Sequence, residues 1–240
     1  MNISDSIILI TGANRGIGFA LTQKALEKGA AKVYATYRSE GNRAALEALG
    51  ERVVPVQLDL SDRKSIAQLS KSVPSLDILI NNAGIFSATD VLEDTEEQLR
   101  SDIETNLFGT LSVTKALLPA LKKGSAAAIA NVVSVVGLAP MAAIGGYSAS
   151  KAAVHSVTQS LRGSLKDEGI SVHGIYPGPV ETRMADSFEI DKASPEAVAE
   201  KIFEGIENGT EDIFPDAMAE QAGQAFLSSP KALEQNFAAF

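Results

Sequence analysis

The stretch that decides the fold is Ile7-Ile-Leu-Ile-Thr-Gly-Ala-Asn-Arg-Gly-Ile-Gly18. Its first four residues form a continuous apolar run, which is typical of a strand buried on both faces of a parallel sheet. A glycine-rich turn follows directly, and an amphipathic pattern to about Lys28, closed by Gly29, predicts a helix. Glycines between a strand and a helix let the backbone approach a pyrophosphate, which the helix N-terminus then binds. A structural turn without a nucleotide is the alternative.

Strands and helices alternate along the rest of the chain. Apolar runs predict further strands at 32–37, 53–58, 76–80, 128–133 and 170–175, with a short one at 211–214. Helices are predicted at 40–49, from 61 or 62, at 95–122, 147–166 and 194–209, with a flexible loop at 137–146. The alternation predicts one α/β domain over 1–240. We expect its substrate site on the C-terminal half. Its Rossmann-type sheet would be doubly wound, with roughly seven parallel strands and helices on both faces. The tail after Pro215 has no assignment.

Composition narrows the class of protein. The chain has 240 residues, is 45% hydrophobic and carries a net charge of −9, which disfavours nucleic-acid and anionic-membrane partners. It contains no cysteine, which fits a reducing compartment. Residues 1–6 lack the basic segment of a signal peptide, and the apolar runs are too short to span a bilayer, so we expect a cytoplasmic protein. His155 and His173 are interpreted as structural, and no residues have metal-ligand spacing.

A second motif is Tyr147-Ser-Ala-Ser-Lys151, with Ser134 upstream. Four residues apart on a predicted helix, Tyr147 and Lys151 lie on one face. An ammonium charge at ~4 Å would lower the pKa of the phenol by about two or three from its usual value of about 10. The phenol would then act as a general acid/base, and Ser134 would hold the oxygen that is protonated. Taken alone, the spacing is more typical of an ordinary helix surface, and only the rest of the chain favours the catalytic interpretation.

The ends of three strands add candidate cofactor ligands. An acidic residue after the second strand would bind the 2′-hydroxyl of NAD, whereas an arginine accommodates the 2′-phosphate of NADP. Arg38 follows that strand and Arg15 lies in the glycine-rich turn, so the sequence predicts NADP(H) over NAD(H), with two solvated arginines as the alternative. Asp59, before Leu60, would either receive the adenine amino group or help to cap the next helix. Asn81-Asn-Ala-Gly84 offers small residues beside a ligand.

In order and spacing, these segments resemble the short-chain dehydrogenase/reductase family over nearly the whole chain. The matching features are TGANRGIG at 11–18, NNAG at 81–84, Asn106, Ser134, Tyr147 with Lys151, and PGPVET at 177–182. The glycine spacing and the length resemble the single-domain branch of the family. The longer epimerase and dehydratase branch has a different glycine spacing.

The resemblance implies a role for each matched residue. Tyr147 would be the proton donor and acceptor, and Ser134 would orient the substrate carbonyl. Lys151 would bind the nicotinamide ribose and lower the Tyr147 pKa, while Asn106 would hold a water of a proton relay. The implied cofactor-binding residues are Gly12, Asn14, Arg15, Gly16, Ile17, Gly18, Arg38, Asp59, Leu60, Asn82, Ala83, Gly84, Tyr147, Lys151, Pro177, Gly178, Val180 and Thr182. The candidate substrate-binding residues are Ser134, Met141, Ile144, Tyr147, Met184 and Phe188.

We therefore predict an NADP(H)-dependent oxidoreductase that interconverts a small or medium apolar carbonyl compound and its alcohol. The alternative is a catalytically silent protein that binds NADP(H) for regulation or redox sensing, while a lyase or epimerase is disfavoured by the glycine spacing. Small residues on the Tyr147 helix, with the long helix that carries Asn106, predict a homodimer or homotetramer. Alternatively, the small-residue face of the Tyr147 helix packs against the chain's own sheet.

Overall fold

The computed structural model describes residues 1–40, 43–124 and 126–239. A single sheet runs through the described chain in the order β3-β2-β1-β4-β5-β6-β7, and every neighbouring pair is parallel. Its strands are β1 (Ile7–Ile10), β2 (Lys32–Tyr37), β3 (Val53–Gln57), β4 (Ile78–Asn81), β5 (Ala127–Val132), β6 (Ile170–Ile175) and β7 (Asp212–Ile213). The prediction of a seven-stranded, doubly wound parallel sheet is confirmed.

Helices cover both faces of this sheet, as predicted. They are α1 (Gly16–Glu27), α2 (Arg43–Glu47), α3 (Arg63–Ser72), α4 (Glu96–Asp102), α5 (Thr110–Leu121), α6 (Gly145–Leu165), α7 (Pro195–Glu207), α8 (Ala217–Ser228) and α9 (Pro230–Phe237). One apolar cluster contains Leu21, Ile202 and Phe203 from α1 and α7, and another contains Leu69 and Leu117 from α3 and α5. The sheet is therefore buried on both sides, which explains why its strands are continuous apolar runs.

Several helix starts follow directly from the local sequence. The side chain of Asp62 accepts the backbone N–H of Lys64 and caps α3. Thr95 and Gln98 form the predicted capping box of α4. Ser194 caps α7, with Pro195 at its first position. Helix α2 is shorter than the predicted 40–49, and positions 41 and 42 of that prediction lie outside the described residues.

Two segments differ from the prediction. The region predicted as one helix at 95–122 contains a π-helical segment, Ile103–Gly109, between α4 and α5. The predicted loop at 137–146 contains two 3₁₀ turns, and α6 already begins at Gly145. A side chain at Gly145 would lie 2.7 Å from Cβ of Val91, so the segment before α4 packs closely on the first turn of α6.

The tail without a sequence assignment forms α8 and α9. Asp216 caps α8, and Ala222, Leu233 and Phe237 pack in an apolar cluster with Val136. In the described chain, no helix has both the length and the apolar character needed to cross a bilayer.

Candidate active site

A cavity of about 1070 Å³ opens at the carboxyl ends of the strands. In a doubly wound sheet this edge is where ligands bind, because the helix N-termini and the connecting loops meet there. Of the residues that the sequence predicts for the cofactor, the substrate or the chemistry, all line this cavity except Gly18 and Asn106. The fold therefore brings the two predicted halves of the site into one space.

Gly18 and Asn82 support the glycine-rich turn. A side chain at Gly18 would collide with the carbonyl of Gly12 and lie 2.6 Å from Nδ2 of Asn82, so Gly18 has a packing role behind the cavity. Nδ2 of Asn82 donates to the carbonyls of Thr11 and Gly12 at 2.9 and 3.2 Å. These bonds fix the end of β4 against the turn after β1.

The turn is shaped to receive a phosphate group. Gly12 and Gly16 adopt left-handed backbone angles, φ 64° and 52°, which favour glycine. Helix α1 starts without a side-chain cap, so its first N–H groups are available to an anion. A side chain at Gly16 would lie 2.9 Å from Cγ2 of Thr182. This uncapped glycine cradle fits the diphosphate of a dinucleotide.

The edge of the cavity beside β2 and β3 carries Arg15, Arg38 and Asp59. Both arginines are exposed. The Asp59 carboxylate accepts the N–H and the hydroxyl of Ser61 at 2.9 and 2.7 Å. These bonds lower the pKa of Asp59, and the positive charge of Arg38 lowers it further. Asp59 thus shapes the turn before α3, whose cap is Asp62, and still lines the cavity.

Tyr147 and Lys151 lie on one face of α6, as their spacing predicts. The Lys151 Nζ atom is 5.6 Å from the centre of the Tyr147 ring and donates to the carbonyl of Val132 at 2.9 Å. The Ser134 hydroxyl, at the end of β5, donates to the carbonyl of Pro177 at 3.3 Å. All three side chains line the cavity, so a phenol, an ammonium group and a hydroxyl share one space.

The expected lowering of the phenol pKa is wrong for this arrangement. Burial raises the pKa of Tyr147 above its usual value, and the negative charge of Asp102 raises it further. Burial also lowers the pKa of Lys151 to about 8, although Asp102 opposes that change. Desolvation disfavours the charged form of each group and is the largest cause of both pKa changes.

Asn106 connects α6 to the loop after β4. Its Nδ2 donates to the Ser150 hydroxyl at 2.9 Å and to the Ile85 carbonyl at 3.0 Å, while its Oδ1 accepts the Ile85 N–H at 2.8 Å. Asn106 lies in the π-helical segment, a distortion that is often found at functional sites. A side chain at Gly84 would lie 2.9 Å from Oδ1 of Asn106 and 3.7 Å from Nζ of Lys151. The amide thus sits directly behind the cavity wall.

A family model described as short chain dehydrogenase matches residues 6–193 of the chain. The chain belongs to the short-chain dehydrogenase family. It is 36% identical over 197 residues to a 3-oxoacyl-[acyl-carrier-protein] reductase of Vibrio harveyi, and the match covers 80% of each chain. The protein is thus an oxidoreductase of this family.

Solved structures of short-chain dehydrogenases have the same architecture. One from Burkholderia cenocepacia, in complex with NADP, is 33% identical, covers 99% of both chains and superposes with a TM-score of 0.92. Another, from Burkholderia phymatum in complex with NAD, covers 95% of this chain and 96% of its own. It superposes with a TM-score of 0.84 at 23% identity, so it shows the fold alone.

At the Tyr147 end of the cavity, which we call the substrate end after its predicted role, the main wall residues are apolar. The predicted candidates Met141, Met184 and Phe188 line it, and the structure adds Phe86 and Met218. The Phe86 ring lies edge-on to Tyr147, with centres 5.0 Å apart, and 5.9 Å from Phe188. Phe86 lies in an irregular segment and Met218 in the unassigned tail, so periodicity gave no signal for either. The sequence signal for Phe86 was its place two residues after Asn81-Asn-Ala-Gly84.

Asp216 joins the C-terminal helices of the dehydrogenase to the turn after β6. Its Oδ2 accepts the N–H of Gly178 at 2.8 Å, and its Oδ1 accepts the N–H of Ala219 at 2.9 Å, which caps α8. A side chain at Gly178 would lie 2.9 Å from Oδ1 of Asp216. One carboxylate therefore fixes both the start of α8 and a predicted cofactor-binding residue.

Proposed function

We propose that this short-chain dehydrogenase interconverts a ketone or aldehyde and the corresponding alcohol, with NADP(H) as its cofactor. The observation that carries the proposal is that Ser134, Tyr147, Lys151 and the glycine-rich turn line the same cavity. When bound, the nicotinamide dinucleotide supplies or accepts the hydride. The chain's own residues then have to position the substrate oxygen and move one proton.

Tyr147 is the group that moves this proton. Its raised pKa keeps the phenol protonated at neutral pH, so it is ready to donate to the carbonyl oxygen during reduction. Ser134 donates a hydrogen bond to the same oxygen as negative charge develops there. Lys151, when protonated, stabilises the phenolate that remains. Because the Lys151 pKa is about 8, reduction should weaken as the pH rises through that value.

The preference for NADP(H) over NAD(H) is supported by charge. Arg15 and Arg38 are exposed at the edge of the cavity where the ribose beyond the glycine-rich turn would lie. Both offer charge-assisted hydrogen bonds to a 2′-phosphate. The NADP complex of the Burkholderia cenocepacia relative agrees with this preference.

The substrate is proposed to be apolar and of small or medium size. Phe86, Phe188 and three methionines form the wall around the Tyr147 end of the cavity. Methionine side chains adapt to different shapes, so this wall favours a range of apolar carbonyl compounds. A 3-oxoacyl thioester is a second candidate, because the Vibrio harveyi relative is named for that substrate class.

Replacement of Tyr147 by Phe tests the reaction. The variant keeps the ring and Lys151, so NADPH should bind as before, while turnover falls at least ~100-fold in both directions. The assay is the loss of NADPH absorbance with a panel of ketones and a 3-oxoacyl thioester. Normal turnover by the variant would refute the proton role. NADPH binding by the wild type without turnover of any compound would favour the silent regulatory protein instead.

The protein is also proposed to be a homodimer or homotetramer. Ala149, Ala152 and Ser156 form an exposed small-residue face on α6, so this face is not used up by the chain's own sheet. Phe108, in the π-helical segment, is 50% exposed, which is high for a large apolar side chain. A cytoplasmic location stays a prediction.

A further inference from the structure

Asp102 is a buried carboxyl group that the proposed reaction leaves without a role. It is the last residue of α4, and its exposed fraction is 0%. Its Oδ1 accepts the hydroxyl of Ser87 at 3.1 Å, while its Oδ2 is buried and has no hydrogen-bond partner among the described residues. A buried carboxylate with one unpaired oxygen costs free energy, so its presence calls for an electrostatic or positional reason.

The position of Asp102 supplies such a reason. Asp102 and Asn106 both lie in the stretch from α4 into the π-helical segment. Asp102 accepts a hydrogen bond from Ser87 and Asn106 accepts one from Ile85, so together they fix the loop after β4. Between these two anchored residues stands Phe86, whose ring lies edge-on to Tyr147. Asn106 also binds Ser150, the residue before Lys151, so the same helical stretch touches α6 directly.

We propose that Asp102 is a positioning residue of the dehydrogenase, whose buried carboxylate serves as the counter-charge of the Tyr147–Lys151 pair. The inference rests on the proposed function. The charged and titratable groups that act on Asp102 are Lys151 from α6 and Asp94 from the segment before α4. Burial is the largest influence on Asp102 and raises its pKa, while hydrogen bonding from Ser87 lowers it. The charge of Asp94 raises the Asp102 pKa further, and the charge of Lys151 lowers it. In return, Asp102 favours the protonated form of both Tyr147 and Lys151.

A negative charge at Asp102 should favour the reductive direction of catalysis. The reductive direction needs a protonated phenol beside a charged ammonium group. A negative charge at Asp102 raises the pKa of both groups, and so extends the pH range over which this state exists. Removing the charge should move the loss of the first proton of the pair to lower pH, whichever of the two groups releases it.

The test is Asp102→Asn, which removes the charge and keeps an oxygen that can accept the Ser87 hydroxyl. The midpoint of the alkaline loss of kcat/KM for ketone reduction should move down by about one pH unit. The pH at which NADPH binding weakens, followed by cofactor fluorescence, should move in parallel. The matched control is Asp94→Asn. Asp94 also has a buried oxygen that lacks a hydrogen-bond partner in the described part of the chain. Its charge acts on Asp102 but does not contribute to the pKa changes of Tyr147 and Lys151. Asp94→Asn should cause no downward movement.

A readout without cofactor separates this inference from the proposed function. In the absence of NADPH, the pH dependence of the unfolding free energy reports the titration of Lys151. The rise of the unfolding free energy that accompanies loss of the Lys151 proton should begin at lower pH in Asp102→Asn than in the wild type. This result does not depend on knowing a substrate. Equal onsets and equal kinetic midpoints in the two proteins would overturn the role of Asp102. Asp102→Ser is the substitute if the Asn variant does not fold, with the same expected direction.

Discussion

Replacing Lys151 by Met should make the folded protein more stable at neutral pH while it removes activity. Lys151 is 5% exposed, and burial lowers its pKa from 10.5 to about 8. One pKa unit corresponds to about 1.4 kcal/mol, so keeping the ammonium group protonated in the folded state costs ~3 kcal/mol. Removing the ammonium group should therefore stabilise the folded protein by that amount. The Val132 carbonyl loses its hydrogen bond to Lys151 in the variant, which offsets ~1 kcal/mol of this stabilisation.

The sign follows from proton counting. Between pH 8 and 10.5 the unfolded chain keeps the Lys151 proton and the folded protein has released it. Wild-type stability should therefore rise with pH across that interval, relative to the variant. The free-energy cost of burying the charged Lys151 is fully present below pH 8 and absent above pH 10.5.

Urea unfolding at a series of pH values measures this difference. The unfolding free energy of Lys151→Met minus that of the wild type should decrease by ~3 kcal/mol as the pH rises from 8 to 10.5. Lys64→Met, at an exposed lysine on α3, controls for the substitution itself. A difference that stays constant with pH would refute the burial argument, since packing changes alone have no pH dependence.

The two remaining predictions concern the cofactor and the assembly. Arg38→Asp should shift the ratio of kcat/KM for NADPH and NADH by at least ~10-fold toward NADH, because the new carboxylate repels a 2′-phosphate and accepts a 2′-hydroxyl. The exposed Arg63, outside the cavity, supplies the control Arg63→Asp, and a wild-type preference for NADH would contradict the reasoning. Light scattering at micromolar concentration should give a dimer or tetramer. Ala152→Glu on α6 should dissociate this dimer or tetramer, whereas the control Ala67→Glu on α3 should not. A monomeric wild type would refute the predicted assembly.

The sheet could be predicted from the sequence because burial on both faces leaves a continuous apolar run. The second and sixth strands match their predicted bounds, and the glycine-rich turn and the Thr95 capping box follow from local chemistry. The π-helical segment could not be predicted, since its residues have no composition that separates π from α hydrogen bonding. Helices α8 and α9 could not be assigned from the sequence because the tail after Pro215 is alanine-rich and only mildly apolar.

The sequence could predict which residues line the cavity, but not the electrostatics among them. Spacing placed Tyr147 and Lys151 on one face, which gives their proximity. The direction of their pKa changes depends on burial and on Asp102, and neither is visible in a five-residue motif. Phe86 was missed for a similar reason: an irregular segment has no period, and its ring reaches Tyr147 only through the fold.

The double hydrogen bond of Asp216 limits how this enzyme can diverge. Met218, which lines the substrate end, lies in the first turn of the helix that Asp216 caps, and Gly178 lies in the turn expected to face the nicotinamide. A redesigned α8 that alters the pocket but lacks the capping carboxylate of Asp216 would also lose the hydrogen bond to the N–H of Gly178. We therefore expect changes of substrate range and of cofactor binding to be coupled at this point of the chain, and we expect Asp216 to be required in any exchange of the C-terminal helices.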